Sequence, residues 1–220
     1  MSALFFAGVA VTAVFLGALL VADRAGSRAG RMIAKPLASL GFLLAALGAG
    51  ALLSTYGQAV FAALVLCLVG DVLLLWESPA RFLGGLASFL LGHIGFGAAF
   101  LLAGVEITAA GVAFGALALP GAAVWRWLGP HVEKAMKGPV LAYLLVITAM
   151  VALAAGAVRA GAGWVVIAGA ALFYLSDLSV ARDKFVHPGF SNRLWGWPLY
   201  YGAQLLLAAS VSRMASSSLF

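Results

Sequence analysis

The chain has 220 residues, of which 65% are hydrophobic and only 9% are charged, and its mean hydropathy is +1.11. Soluble domains carry about 25% charged residues, so this composition excludes an ordinary soluble protein. The formal net charge of +6 does not indicate a nucleic-acid partner, because the basic residues are confined to short segments between apolar runs. The composition predicts an integral membrane protein.

Apolar segments of about 20 residues, long enough to cross the hydrocarbon core of a bilayer, recur along the whole chain. The first lacks a preceding basic region and is too long for a cleaved signal, so we interpret it as a membrane helix. The sequence therefore predicts an all-α, polytopic membrane protein, with eight transmembrane helices in one integral membrane domain over residues 1–220. The predicted helices span residues 4–21, 32–53, 58–76, 82–103, 107–124, 139–158, 163–180 and 195–211.

The basic residues alternate between loops. Eleven of the thirteen lysines and arginines fall in or beside the first, third, fifth and seventh loops, and only Arg159 and Arg213 fall elsewhere. The positive-inside rule makes those four loops cytoplasmic and puts both termini outside. Because the Ala-, Gly- and Arg-rich composition is typical of a GC-rich bacterium, we expect the protein in a bacterial inner membrane.

Two aspartates, Asp71 and Asp177, lie inside apolar segments, and each follows a small residue. An ionisable group within a membrane span costs a few kcal/mol and by default marks a functional site. The predicted orientation places both carboxylates toward the cytoplasmic leaflet at similar depth. The alternative is a pair of structural carboxylates that hold helices together through hydrogen bonds.

The two aspartates also occupy corresponding positions in the chain. Asp71 lies in the third helix of the first four, and Asp177 lies in the third helix of the last four. This correspondence suggests a parallel four-plus-four internal repeat. Chance similarity is the alternative, because the two halves share little sequence identity.

The remaining polar residues of these helices have structural explanations beside functional ones. His93 suits helix packing as well as catalysis. Lys35 is most simply an interfacial lysine whose charge reaches the headgroups, although its position also suits a phosphate or an aspartate partner. The aromatic residues that this chain carries near the membrane interface suit an aromatic belt or, alternatively, a cage that binds an ammonium headgroup. No His-rich spacing indicates a zinc site, so we expect no metal and no cofactor.

Five segments carry a resemblance to a known family. They are KPL at 35–37, GDVLLLW at 70–76, GHIGF at 92–96, SDLSVARDKF at 176–185 and YYGAQLLLA at 200–208. Together, in this order and spacing, they resemble the YhhN family, which includes the animal and bacterial lysoplasmalogenases. The resemblance spans the second to the eighth helix. It implies hydrolysis of the vinyl ether bond of lysoplasmalogens, which gives a fatty aldehyde and glycerophosphoethanolamine or glycerophosphocholine.

The aspartate pair fits the chemistry that this resemblance implies. A vinyl ether hydrolyses through protonation of its β-carbon and attack of water on the resulting oxocarbenium ion. One protonated carboxyl can supply the proton, and one carboxylate can stabilise the cation and orient the water. We therefore expect Asp71 and Asp177 to be the acid–base pair, with the acid unassigned. We expect four residues to orient water or the ether oxygen: His93, Tyr200, Gln204 and Ser176. We expect five to contact the phosphate or headgroup: Lys35, Arg182, Lys184, Tyr201 and Trp76.

Two other functions use the same residues. Intramembrane carboxylates in equivalent helices of a repeat also suit a proton- or cation-coupled transporter. A membrane protein that binds lipid without turnover is a third interpretation. In each case the expected partners are lysophospholipid or membrane lipid and not nucleic acid, and the oligomeric state is left open.

Overall fold

The computed structural model describes the backbone of residues 1–76 and 78–217 and the side chains of these residues as far as Ser212. The side chain of Arg213, one of the two basic residues assigned to the outer face, therefore lies outside the described residues. All regular structure in the described part of the chain is helical, as predicted. The helices are α1 (Ala3–Arg24), α2 (Arg28–Gly48), α3 (Thr55–Leu73), α4 (Pro79–Leu102), α5 (Ile107–Leu128), α6 (Lys134–Arg159), α7 (Val165–Ala181) and α8 (Phe190–Ser217).

The membrane character of these helices agrees with the prediction. Seven of them, α1 to α7, are long and apolar enough to cross a bilayer. The eighth, α8, is 28 residues long and is less apolar than these seven, because polar residues such as Asn192, Arg193 and Gln204 interrupt its apolar sequence.

Capping residues explain where several helices begin. Ser2, Ser27, Ser54 and Ser78 precede α1 to α4, and each side-chain oxygen accepts a hydrogen bond from the backbone amide three residues later. Such caps satisfy amides that have no partner within the helix. Glu106 caps α5 in the same way, and hydrogen bonds from the amides of Ala109 and Thr108 lower the pKa of its exposed carboxyl.

Several predicted helix boundaries need correction. The sixth helix begins at Lys134 rather than at residue 139, the eighth begins at Phe190 rather than at residue 195, and the second ends at Gly48 rather than at residue 53. The second helix begins at Arg28 rather than at residue 32, because Ser27 caps a first turn too polar to be recognised by hydropathy. Lys35 therefore lies about two turns inside α2 and not at its edge, roughly 10 Å along the axis. The third helix ends at Leu73 rather than at residue 76, and its last residues form a turn before Ser78 and Pro79.

The packing of the helices repeats with an offset of four. In the first half α1 packs on α2, α3 on α4 and α2 on α3. In the second half α5 packs on α6, α7 on α8 and α6 on α7. The halves meet through two equivalent contacts, α4 with α6 and α8 with α2, and α8 also packs against α1 and α3. This pattern agrees with the four-plus-four repeat suggested by the positions of the aspartates.

Candidate active site

Asp71 is held as a buried ion pair. Asp71 is only 2% exposed, and its Oδ1 lies 3.2 Å from the Nζ of Lys35. Its Oδ2 accepts hydrogen bonds from the hydroxyls of Ser39 and Tyr200, both at 2.7 Å. A carboxylate that faces a cation and accepts two hydrogen bonds is stabilised in its charged form. Asp71 thus has one cation and two hydroxyl donors as its immediate polar neighbours.

Asp177 has different neighbours and is more open. Its side chain is 17% exposed, and its Oδ2 accepts a hydrogen bond from the hydroxyl of Tyr143 at 2.7 Å. The same oxygen lies 3.4 Å from the Nε2 of His93. Among the described residues, no lysine or arginine forms an ion pair with Asp177.

The ring of His93 lies against Asp177. The Nδ1 of His93 lies 2.6 Å from the carbonyl oxygen of Phe89, and because a carbonyl can only accept, the hydrogen of this bond belongs to Nδ1. The Nε2 atom on the other side of the ring lies 3.4 Å from Oδ2 of Asp177 and makes no hydrogen bond to a described residue. One proton placed on Nε2 or on the carboxyl makes this contact attractive, so the pair can hold a proton between its two members.

The repeat extends to the residues that surround each carboxylate. Asp71 in α3 receives Lys35 and Ser39 from α2 of its own half and Tyr200 from α8 of the other half. Asp177 in α7 receives Tyr143 from α6 of its own half and His93 from α4 of the other half. The helices correspond but the side chains do not. The two sites therefore share a scaffold and differ in charge.

Both carboxylates line one cavity of about 110 Å³. Lys35, Tyr143, Tyr200 and Ser176 also line it, and most of the remaining wall is apolar, with Leu, Ile, Val and Phe side chains from α4, α5, α6 and the end of α7. An apolar wall with a few convergent polar groups is the usual form of a small-molecule site. The arrangement suits an amphiphilic substrate with its reacting bond near the carboxylates.

A second cavity, of about 520 Å³, adjoins the first at the ends of the helices. We call it the vestibule. It lies between the α1–α2, α3–α4 and α7–α8 connections, which are three of the four loops predicted to be cytoplasmic. The vestibule shares Lys35, Leu74, Phe82, Lys184 and Trp197 with the inner cavity, so the two form one path from the helix ends to the carboxylates.

Of the residues predicted to orient water or the ether oxygen, Tyr200 and His93 directly contact the aspartates. Ser176 lines the inner cavity, but its hydroxyl donates to the carbonyl of Phe173 one turn earlier. Gln204 is fully buried, and neither polar atom of its side chain has a hydrogen-bond partner among the described residues. Its side chain interacts with the thiol of Cys67, which lies within electrostatic range of both aspartates.

The residues predicted to meet the headgroup are divided by the structure. Lys35 and Lys184 line both cavities, and Trp76 lines the vestibule with the Arg81 guanidinium 4.5 Å from its ring centre. Tyr201 and Arg182 line neither of these cavities. Tyr201 is 1% exposed and donates to the backbone carbonyl of Lys35, because it faces the interior of the bundle.

The prediction for Arg182 needs a physical correction. Arg182 lies in a short π-helical segment after α7 and donates to the side chain of Asn192. Asn192 in turn donates to Asp183 and to the carbonyl of His187. The Arg182 guanidinium therefore organises the connection between α7 and α8.

The sequence analysis did not identify Ser39 and Tyr143. Ser39 lies one turn after Lys35 on the same helix face, so a search for polar residues four positions apart could have found it. Tyr143 is a lone tyrosine in an apolar helix, and nothing in its own segment distinguishes it. Tyr143 lies four residues after Pro139, and Ser39 lies three residues after Pro36. This similar spacing from a proline is a weak signal of the repeat.

Comparison with known proteins gives a consistent family. The family model described as "YhhN family" matches residues 30–211. The human protein named Lysoplasmalogenase TMEM86B is 38% identical over 159 residues, which are 72% of this chain and 65% of the human one. Lysoplasmalogenase TMEM86A of Bos taurus is 32% identical over 80% of this chain and 74% of its own length. Lysoplasmalogenase TMEM86B of Sus scrofa is 35% identical over 81% and 73%. No solved structure matches the chain.

Proposed function

The chain belongs to the YhhN family, and we propose that it is a membrane-embedded hydrolase that cleaves the vinyl ether bond of lysoplasmalogens. The names of its relatives support this reaction class. The products are a fatty aldehyde and glycerophosphoethanolamine or glycerophosphocholine. The substrate is a lysophospholipid taken from the cytoplasmic leaflet of a bacterial inner membrane.

The single observation that carries the mechanism is the unequal environment of the two aspartates. Lys35, Ser39 and Tyr200 together stabilise an anionic Asp71. The Nε2 of His93 lies 3.4 Å from Oδ2 of Asp177 and has no hydrogen-bond partner among the described residues, so we assign one shared proton to this pair. Pairs of titratable groups whose environments separate their protonation states serve as acid and base. The His93–Asp177 pair is thus the acid, and Asp71 is the anion.

The reaction follows from this assignment. The proton shared by His93 and Asp177 is transferred to the β-carbon of the alkenyl ether, whose double-bond electrons form the new C–H bond. The α-carbon becomes an oxocarbenium ion, which the Asp71 carboxylate stabilises electrostatically. Water adds to that carbon and returns a proton to the His93–Asp177 pair. The hemiacetal then breaks its C–O bond to the glycerol oxygen while its hydroxyl proton passes to that oxygen, which gives the aldehyde and the free alcohol.

The test is aldehyde release from lysoplasmenylethanolamine by the purified protein, which also separates hydrolysis from transport. We expect Asp177→Asn and His93→Gln each to reduce kcat by at least about a hundredfold, the usual contribution of a positioned general acid. His131→Gln is the matched control, because His131 also pairs its Nδ1 with the carbonyl four residues earlier but is exposed. We expect it to retain full activity.

Asp71 needs a variant that keeps the charge balance. Asp71→Asn alone leaves Lys35 buried without its counter-ion, and breaking a buried pair costs about 3–5 kcal/mol. The double variant Lys35→Gln with Asp71→Asn removes both charges, so we expect it to remain folded and to be inactive. A folded double variant with wild-type turnover would overturn the role of Asp71.

A further inference from the structure

We propose that the vestibule is the binding site for the phosphodiester of a single-chain lipid, with Arg28 and Lys184 as its two anion-binding cations. This inference rests on the proposed function, since it names the part of the substrate that the outer end of the same path recognises. The class of ligand is a phosphate-bearing lysolipid. Neutral single-chain lipids of the same length carry no anionic group and therefore bind less tightly.

The charges of the vestibule carry the argument. Five cations line it, and the carboxylates of described residues neutralise three of them. Asp23 pairs with Arg31 at 3.2 Å and with Arg193 at 2.7 Å, and Asp183 also pairs with Arg193 at 2.9 Å. Lys35 is paired with Asp71.

Arg28 and Lys184 lack such partners. Neither is in an ion pair with a described residue, and both are exposed at the rim of the vestibule. The Nζ of Lys184 lies 4.4 Å from the centre of the Phe82 ring, which orients the ammonium without cancelling its charge. An anion that enters the vestibule thus meets two unpaired cations.

The paired arginines are positioned to assist. Arg31 uses one nitrogen and Arg193 uses two in their contacts with carboxylates. A guanidinium has five N–H donors in a rigid fork, so both side chains retain donors for a phosphate oxygen. Asp23 is only 9% exposed and anchors both guanidinium groups. These two guanidinium groups are therefore held in place before a ligand arrives.

The position of the vestibule matches the layout of a lysophospholipid. Lys35 lines both cavities and contacts Asp71, so the vestibule ends where the carboxylates begin. A phosphate in the vestibule leaves the glycerol beside Lys35, the ether bond beside the aspartates and the hydrocarbon chain against the apolar wall of the inner cavity. The order headgroup, glycerol, ether and chain is that of the substrate.

The experiment compares two substrates with the same vinyl ether: lysoplasmenylethanolamine and 1-alkenylglycerol, which lacks the phosphate. We expect Arg28→Gln and Lys184→Gln each to raise KM for the phospholipid about tenfold, because a hydrogen bond to a charged group is worth about a decade of affinity. The value of kcat stays within about twofold of the wild-type value, because the lost contact stabilises the bound substrate and the transition state equally. KM for 1-alkenylglycerol stays unchanged. The control is Arg126→Gln. Arg126 is an exposed basic residue near another predicted cytoplasmic loop and lines neither cavity, so this substitution should change KM for neither substrate.

A binding measurement separates this proposal from the proposed function. Trp76 and Trp197 line the vestibule, so their fluorescence reports binding of 1-acyl lysophosphatidylethanolamine, which has no vinyl ether. If no lysoplasmalogen is hydrolysed but Arg28→Gln and Lys184→Gln weaken this binding and not that of a monoacylglycerol, the phosphate site stands while the reaction falls. Equal effects on phosphorylated and neutral lipids would overturn the phosphate site. If inorganic phosphate competes as strongly as glycerophosphoethanolamine, the ligand of the vestibule is free phosphate and not a lipid.

Discussion

Asp71 and Asp177 occupy equivalent helices, yet the side chains that contact them differ. Asp71 faces a lysine and two hydroxyls, whereas Asp177 faces a tyrosine and a histidine ring nitrogen. In a low-dielectric interior such neighbours determine where a proton resides. The proposed division into anion and acid therefore depends on these five side chains and not on the aspartates themselves.

The hydroxyl of Tyr143 provides a residue-level prediction. Tyr143→Phe removes the hydrogen bond to Oδ2 of Asp177, and Tyr56→Phe removes a bond of the same 2.7 Å length to Ser210, outside the site. Each loss should cost about 1 kcal/mol of stability. Only Tyr143→Phe should also lower kcat, by about tenfold or more, because it changes the oxygen that shares the proton with His93. Thermal unfolding and aldehyde release measure the two effects.

A Tyr143→Phe variant that keeps wild-type kcat would contradict a role for this hydroxyl in catalysis. If Tyr56→Phe lowered kcat equally, the effect would reflect general destabilisation of the bundle.

At the scale of helices, α1 and α2 pack together through glycines. A Cβ added at Gly8 would lie 2.3 Å from the backbone nitrogen of Ala45, and one at Gly48 would lie 2.2 Å from that of Phe5. Small residues let membrane helices approach closely where no hydrophobic effect drives them together. This packing matters for the site, because α1 carries Asp23 and α2 carries Lys35 and Ser39. The family match begins at residue 30, so α1 lies outside it.

A pair of glycines in α1 tests this packing. Gly8→Ala should lower the free energy of unfolding by about 1–3 kcal/mol through overpacking against α2. Gly17→Ala is the matched control, because nothing lies within 4 Å of a Cβ at that position. It should leave stability unchanged or raise it by up to about 1 kcal/mol, since alanine favours helix more than glycine does. Equal melting temperatures for the two variants in detergent would argue against a close α1–α2 contact.

For the whole molecule, the two halves complete each other's site. Tyr200 from the second half contacts Asp71, and His93 from the first half contacts Asp177. Neither half contains a complete set of partners for its own aspartate. The candidate active site thus lies at the interface between the halves, where α4 meets α6 and α8 meets α2 and α3.

Splitting the chain at Gly104, in the connection between α4 and α5, tests that dependence. We expect membranes that contain only residues 1–104 or only residues 105–220 to release no aldehyde. Membranes from cells that express both pieces should recover activity, because the contacts between halves are made by side chains and not by the connection. Activity from either piece alone would contradict a shared site.

The sequence by itself determined the membrane class, the helical architecture, the two aspartates and the family. Each of these depends on local information: apolar length, isolated charge and short motifs. It misplaced Lys35 at the membrane edge, because the polar first turn of α2 hides the start of that helix from hydropathy. It also assigned Arg182 and Tyr201 to the headgroup, since chain position does not show which way a side chain faces.

Only the tertiary structure decided which aspartate is paired with a cation and which lies against a histidine. Ser39 is 32 residues from Asp71, Tyr200 is 129 residues from it, and Tyr143 is 34 residues from Asp177. Protonation depends on such neighbours within a few ångströms, and helix packing alone brings them together. The vestibule likewise combines charges from three connections, so the two cations that no described carboxylate pairs are recognised only in the folded chain.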